Sequence, residues 1–174
     1  MSEKPSYLGL LNAISVAETD AGCYLDQWAS VTPSDDVRAV IRTVALRETE
    51  HGLAFAKRID ELGYTVQPRV DPKNAERMAI ASSTALSDKE KFEALGLGKP
   101  PKPDAPDVFD NFFENKDLDP VTGGLLGRYV AEERDSGRKF AECYSILCAD
   151  ADAAAKKAAK ANGGSKGKAK KGKK

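Results

Sequence analysis

The chain has 174 residues, 41% of them hydrophobic and 31% charged, which is typical of a single globular domain. It contains no long apolar run and no secretory signal pattern at its N-terminus, so we expect neither a membrane-spanning nor a secreted protein. The net charge is zero, but nine lysines and no acidic residue occur from Ala153 onward, which leaves residues 1–152 with 18 basic against 27 acidic residues.

The sequence predicts an all-α protein, because apolar residues recur with helical spacing and no alternating stretch indicates a strand. A capping residue followed by proline marks three predicted helix starts, at Thr32-Pro33, Asp71-Pro72 and Asp119-Pro120. Ser87 with Glu90 fits a capping box, and Gly63 and Gly96 are placed to end helices. The predicted helical regions are 6–30, 33–62, a broken region at 72–95, a short aromatic helix around Val108 to Phe113, and 120–149 with fraying towards Lys160.

The remaining segments are expected to lack regular structure. The proline-rich segment 96–106, GLGKPPKPDAP, predicts an extended loop. Residues 153–174 form a Lys/Ala/Gly-rich tail that should be largely disordered, so residues 1–152 form the helical domain. We expect no internal repeat of fixed period. The odd count of three cysteines, without framework spacing, predicts buried thiols in a cytoplasmic protein.

Polar residues interrupt the apolar seam of each of the first two helices. The first seam runs through Leu11 and Ile14 to Glu18, and the second runs through Val44 to Glu48 and His51. An ionised carboxylate facing other helices costs several kcal/mol unless a cation or another partner compensates it. The two interrupted seams therefore indicate a buried polar site.

The positions of these residues along the helices predict that they meet. Glu18 precedes Pro33 by fifteen residues and Glu48 follows it by fifteen, so in a helical hairpin both lie about 22 Å from the turn. His51 lies about one turn deeper on the face of Glu48. Two carboxylates and the only histidine of the chain then converge, either as metal ligands or as a core histidine hydrogen-bonded to Glu18.

The pattern of Glu18 in one helix and Glu48-x-x-His51 in the next resembles the first half of a ferritin-like di-iron carboxylate protein, the superfamily of rubrerythrins and ferritins. Residues 6–63 also resemble the helical hairpin of encapsulated ferritins, whereas 120–149 match less well. The resemblance implies an up-down helical bundle with a long crossover, and a glutamate from each of two helices with a Glu-x-x-His from each of the other two.

The second half of the site departs from that pattern. The last helix offers Glu132 and Glu133, followed at the histidine positions by Asp135 and Ser136. Glu132 with Asp135 is a candidate all-oxygen half-site, and we include Glu132, Glu133 and Asp135 among the candidate ligands. For the remaining glutamate the sequence offers Glu90 and Glu93, which we expect to be solvated.

Three arrangements of the site stay open: a lopsided site with one firmly held iron, a site shared by two chains across a twofold axis, and a second half-site that has lost its function. Tyr24, one or two turns from Glu18, is either a redox-active neighbour or a core tyrosine.

The resemblance implies a protein that binds iron, as one ion or two, with manganese as the other candidate metal. The expected activity is ferrous-iron oxidation or peroxide reduction, with a separate protein as electron donor because the chain has no CxxC pair. We expect a homo-oligomer. Two alternatives are a di-iron hydroxylase that acts on an organic substrate, and a non-catalytic bundle. In the latter, the basic tail would bind nucleic acid without sequence specificity.

Overall fold

Five α-helices and one 3-10 helix account for the regular structure of the computed structural model, which describes residues 4–99 and 106–163. No strand occurs among these residues, so the all-α prediction is confirmed for them. The α-helices are α1 (Leu8–Val31), α2 (Asp35–Glu61), α3 (Asn74–Ser82), α4 (Asp88–Leu95) and α5 (Pro120–Gly163), and the 3-10 helix is Asp110–Phe113.

One of the three predicted Xaa-Pro helix starts is confirmed and two are displaced. Asp119 caps α5 by accepting hydrogen bonds from the backbone N–H groups of Val121 and Thr122, both at 3.0 Å. In contrast, α2 begins at Asp35 with Ser34 as its N-cap. Thr32 does not cap this helix, because its hydroxyl donates to the buried carboxylate of Asp88 at 2.7 Å. Likewise, α3 begins at Asn74, two residues after the predicted position.

The other helix-end signals act as predicted. Ser87 and Glu90 form a complete capping box at the start of α4. Gly63 follows the last residues of α2 with φ 82°, and Gly96 ends α4 with φ 70°. Both glycines adopt the left-handed conformation that a residue with a Cβ adopts only at a cost, which explains why glycine occupies these two positions.

Helices α1 and α2 form an antiparallel hairpin and approach most closely at two glycines. A Cβ on Gly22 would lie 2.3 Å from Thr49 Oγ1, and a Cβ on Gly52 would lie 2.5 Å from Thr19 Oγ1. The reciprocal contacts reflect a sequence repeat, Glu-Thr-x-x-Gly, that begins at Glu18 and again at Glu48. The motif occurs twice and sets no fixed period, so it was not among the features expected from the sequence.

The hydrophobic core consists of two clusters, one on each side of a polar layer. The cluster nearer the α1–α2 turn contains Trp28, Ile41 and Phe92, and the far cluster contains Leu11 and Phe55 among others. Glu18, Glu48 and His51 lie between them along the two helices. The hairpin therefore places its polar residues at mid-height, where they are buried between the two apolar clusters.

Helix α5 runs antiparallel to α2 and covers the polar layer. Its first turn is attached through Asp119, which accepts hydrogen bonds from the Tyr7 hydroxyl at 2.6 Å and from the Arg58 guanidinium at 3.0 Å. Further along, Asp135 meets Arg47 at 2.7 Å. The two contacts fix the direction and the level of α5 relative to the hairpin, and so decide which of its acidic residues face the polar layer.

The C-terminal helix is longer than predicted. Helix α5 continues to Gly163, past the expected end at residue 149 and into the segment expected to be a disordered tail. Its last turns are rich in alanine and lysine, which are strong helix formers. Residues 164–174 of the predicted tail and residues 100–105 of the predicted loop lie outside the described residues.

The environments of the three cysteines differ from the prediction. Only Cys143 is buried, whereas Cys23 is exposed and Cys148 is partly buried. None of the described helices has the length and apolarity needed to cross a bilayer.

Candidate metal centre

The three residues that interrupt the seams of α1 and α2 lie together in the interior. Glu18, Glu48 and His51 are 7%, 6% and 3% exposed. They are held at one level because the close contacts at Gly22 and Gly52 fix how α1 passes α2. The convergence expected from the spacing around Pro33 is therefore present.

Helix α5 contributes a fourth side chain, Glu133. One ligand atom from each of Glu18, Glu48, His51 and Glu133 lies within 4.8 Å of the other three. His51 Nδ1 is 3.6 Å from Glu18 Oε2 and 3.6 Å from Glu133 Oε1. Ligand atoms that each lie about 2.1 Å from one ion are about 3 to 4 Å apart, so these separations suit atoms that surround a cation.

Three atoms of this cluster are buried and have no hydrogen-bond partner: Glu18 Oε2, His51 Nδ1 and Glu133 Oε1. Separations of 3.6 Å are too long for hydrogen bonds between them. Buried polar atoms without partners are rare in native proteins because each costs about 1 to 3 kcal/mol. A cation at the point where they converge, or a proton on one of the carboxylates, would give these atoms a partner.

The charges of the cluster are out of balance at neutral pH. Burial and the neighbouring Glu18 and Glu133 raise the pKa of Glu48 to about 11. Burial and Glu18 also raise the pKa of Glu133 to about 7. Burial disfavours the charged form of His51, but Glu18 and Glu132 outweigh it and raise the pKa of the imidazole. A proton or a metal cation must therefore compensate the carboxylates.

Glu132 lies on the other side of the imidazole from the cluster. Its Oε2 is 2.7 Å from His51 Nε2, and its Oε1 accepts a hydrogen bond from Arg128 Nε at 3.0 Å. Burial disfavours its charged form, but His51 and Arg128 keep the pKa of Glu132 below its usual value. Because a carboxylate only accepts hydrogen bonds, Nε2 carries a hydrogen, and when the ring is neutral Nδ1 therefore presents its lone pair to the cluster.

The remaining predicted acidic residues lie away from the cluster. Asp135 is two residues after Glu133 and so lies on a different face of α5. It pairs with Arg47 at 2.7 Å. Glu90 belongs to the capping box of α4, and Glu93 pairs with Lys89 at 2.5 Å on the surface. Glu132 and Asp135 therefore do not form the all-oxygen half-site that the sequence suggested.

Tyr129 is the residue that the sequence prediction missed. Its hydroxyl donates a hydrogen bond of 2.9 Å to Glu18 Oε1, and its ring meets the His51 imidazole edge-on with centroids 5.0 Å apart. Burial and the nearby Glu18 raise the pKa of Tyr129, so its hydroxyl stays protonated. The available signal was its position one turn before Glu133 on the same face of α5.

Tyr24 lies beside the cluster rather than in it. The side chain is half-buried and packs against the hydrophobic cluster near the turn. Burial raises its pKa to about 12, so the phenol is protonated at neutral pH. Of the two alternatives for Tyr24, this environment favours a core tyrosine. A redox role stays a prediction.

The donor set of the cluster fits a hard or borderline metal ion. Three carboxylates and one imidazole nitrogen match the ligand preferences of Fe(II) and Mn(II), and the absence of thiolate in this set disfavours soft metals. The three unpartnered atoms would gain a partner in such an ion.

Comparison of the chain with protein-family models, with curated proteins and with solved structures gave no significant match.

Proposed function

We propose that the protein is a ferritin-like metalloprotein that binds iron through Glu18, Glu48, His51 and Glu133. The observation that supports the proposal best is the convergence of three buried atoms without hydrogen-bond partners, one on each of α1, α2 and α5. A bound divalent cation would satisfy all three and would compensate the carboxylate charge that burial makes costly.

The histidine environment supports a metal-ligand role for Nδ1. The hydrogen bond between Nε2 and Glu132 holds the ring and fixes its tautomer. A carboxylate on the far nitrogen is the usual partner of a metal-bound histidine, because it orients the ring and increases the basicity of the ligating nitrogen. Glu132 is therefore proposed as a positioning residue and not as a ligand.

The stoichiometry we propose is one firmly bound ion per chain. Four ligands surround one point, and the chain has a single histidine. In the Glu-Thr-x-x-Gly repeat, Ala21 occupies the position that corresponds to His51. A second ion would lack an imidazole and would have to share the same carboxylates, so it would bind more weakly.

The activity we propose is oxidation of Fe(II) by peroxide or dioxygen. Iron would supply the redox change, and because each chain is proposed to hold one ion, the two electrons that peroxide needs would come from two chains: two Fe(II) ions, one hydrogen peroxide and two protons would give two Fe(III) ions and two water molecules. The protein would hold the metal in a buried site, position the imidazole through Glu132 and orient Glu18 through the Tyr129 hydroxyl. Reduction of Fe(III) would require a separate electron donor, and we expect the protein to act as a homo-oligomer in the cytoplasm.

A second candidate function is oxidation of an organic substrate at the same metal. A cavity of about 840 Å³ reaches the cluster, and its lining includes Glu18, Glu48 and Glu133. Pockets of 300 to 1,000 Å³ accommodate small organic ligands, whereas dioxygen or peroxide needs far less space. The size of the cavity is the specific feature that favours this alternative.

The test is an anaerobic Fe(II) titration of the full chain, followed by exposure to peroxide or air. We expect one Fe(II) per chain to bind tightly and to be oxidised, as recorded by metal analysis and ultraviolet absorbance. The Glu48→Ala, His51→Ala double variant should lose both. Asp60→Asn is the matched control on α2, because Asp60 is exposed and is not one of the residues that form the cluster. Absence of Fe(II) binding, or equal binding by the double variant, would contradict the proposal.

A further inference from the structure

The cavity beside the cluster has a floor, a wall and a rim of different chemistry. The floor is formed by carboxylates of the proposed metal site. Four further charged residues line the cavity and are less buried than Glu18 and Glu48, so we call them the rim: Asp20, Arg69, Asp71 and Arg77. The apolar residues that line the cavity form its wall and include Val16, Ala17, Ala21, Leu25, Leu97 and Phe140.

The cavity exists because small side chains face it where the repeat would otherwise place a larger one. Ala21 occupies the position that corresponds to His51 in the other copy of the repeat. On α5, Gly137 also lines the cavity, and a Cβ added to it would have no atom within 4 Å. The metal site is therefore enclosed on the side of His51 and accessible on the side of Ala21.

The rim has one guanidinium available for a ligand. Asp71 is paired with Arg77 at 2.5 Å. Arg69 is exposed and forms no ion pair with any residue that the structure describes. A guanidinium binds a carboxylate through two parallel hydrogen bonds, which gives geometric specificity as well as affinity. Asp20 is the other rim residue that could select charge, and it would favour an amine.

The distribution of charge sets the direction in which a ligand would enter. Arg69, which is exposed, attracts a carboxylate to the rim, whereas the apolar wall stabilises a hydrocarbon chain. We propose that this cleft binds an aliphatic carboxylic acid, with its chain directed towards the metal site and its carboxylate at Arg69. The inference rests on the proposed function, because it names the organic ligand of that same site.

Binding is tested by isothermal titration calorimetry on the full chain, metal-free and loaded with Mn(II), with octanoate, 1-octanol and octylamine as probes. Octanoate should bind in preference to the other two. The Arg69→Leu variant should bind it at least about tenfold more weakly. Arg42→Leu is the matched control, because Arg42 is exposed on α2 and does not line the cavity, and it should leave octanoate binding unchanged.

A second variant tests the position of the chain. Gly137→Leu fills the cleft without a clash at Cβ and replaces a glycine inside a helix, so it should fold at least as well as the parent. It should abolish octanoate binding and retain Mn(II) binding, with helicity checked by circular dichroism.

The outcomes separate the two proposals. Mn(II) binding without octanoate binding would overturn the ligand inference and leave the metal centre standing. Octanoate binding without any metal binding would overturn the proposed function alone. Equal affinity for 1-octanol, preference for octylamine, or an unaffected Arg69→Leu or Gly137→Leu variant would each overturn the carboxylic-acid inference.

Discussion

At the residue level, Glu18 shows how neighbouring side chains direct a ligand atom. Its two carboxylate oxygens have different surroundings, because Oε1 accepts a hydrogen bond from Tyr129 and Oε2 is buried without a partner. The hydrogen bond fixes the rotation of the carboxylate and directs Oε2 towards His51 and Glu133. Tyr129 therefore prepares Glu18 for a ligand without being a ligand itself.

The Tyr129→Phe variant tests this role. Removing the hydroxyl should weaken Mn(II) binding by about 10- to 100-fold, the range observed for residues that orient metal ligands. The free energy of unfolding of the metal-free protein should fall by about 1 kcal/mol, because Glu18 Oε1 loses a hydrogen bond. Metal affinity from calorimetry and stability from urea titration measure the two effects separately.

The control is Tyr144→Phe, since the Tyr144 hydroxyl donates a bond of the same length, 2.9 Å, to the exposed Glu93. It should change neither quantity appreciably. If Tyr129→Phe bound Mn(II) as tightly as the parent, Tyr129 would be only a core aromatic residue.

At the level of secondary-structure elements, the contact between α1 and α2 determines the site geometry. The two glycines of the Glu-Thr-x-x-Gly repeat let the helix backbones approach, so that Glu18 and Glu48 reach the same point. A residue with a Cβ at either glycine would separate the helices. The repeat therefore explains why the carboxylates and the glycines occur at a fixed spacing in both helices.

Gly52→Ala should lower the free energy of unfolding by about 1 to 3 kcal/mol through overpacking. Its Cβ would lie 2.5 Å from Thr19 Oγ1 and 3.0 Å from the Thr19 backbone nitrogen. Gly127→Ala in α5 is the control, because its Cβ would have no atom within 4 Å, and it should stabilise the protein by about 0.5 to 1 kcal/mol. Urea titration measures both changes in the free energy of unfolding. Opposite signs for the two variants support the close approach of α1 and α2, whereas equal changes would refute it.

The N-terminus of α5 gives a prediction about pH. Burial disfavours the charge of Asp119, but hydrogen bonds from Thr122, Tyr7 and Arg58 lower its pKa below the unfolded value of 3.8. A lowered folded pKa stabilises the protein above the unfolded pKa, and this stabilisation is lost as pH falls through the folded pKa. Asp119→Asn should therefore cost about 1 to 2 kcal/mol at pH 7 and progressively less below about pH 4.

Thermal melts between pH 2.5 and pH 7 measure this difference. Asp60→Asn serves as the control, because Asp60 is exposed on α2 and should show no such dependence. A constant difference between Asp119→Asn and the parent over this range would show that the charge of Asp119 contributes nothing.

At the level of the whole molecule, metal binding is proposed for the acidic part of the chain and nucleic-acid binding is predicted for the basic C-terminus. Helix α5 extends beyond the bundle, and the side chains of residues 151–160, which include three of the nine lysines, are exposed. These charges attract phosphate without reading base sequence. Nucleic-acid binding through this segment stays a prediction.

Deletion of residues 153–174 should abolish retention of double-stranded DNA at low salt and leave Fe(II) binding unchanged, as measured by filter binding and metal titration. A full-length variant with the nine lysines replaced by glutamine controls for chain length and should behave like the deletion. Unchanged DNA retention in either variant would contradict a role for the lysines.

The sequence by itself determined the helices and the site residues that α1 and α2 contribute. The 3.6-residue period predicted the helices, and equal distances from Pro33 predicted that Glu18 and Glu48 meet, because helix rise is constant. These inferences needed only local geometry. The displaced start of α2 shows the limit of such inferences, since Thr32 contacts a residue far along the chain, Asp88.

Only the tertiary structure decided which residue of α5 completes the site. Glu132, Glu133 and Asp135 lie within one turn of α5, and the rotation of α5 about its axis determines which one faces the cluster. Contacts at the start of α5 and midway along its packed part set that rotation, with Arg58 at Asp119 and Arg47 at Asp135. The cavity likewise depends on how several elements pack around Ala21 and Gly137. Periodicity within one helix carries no information about either arrangement, because both depend on long-range packing.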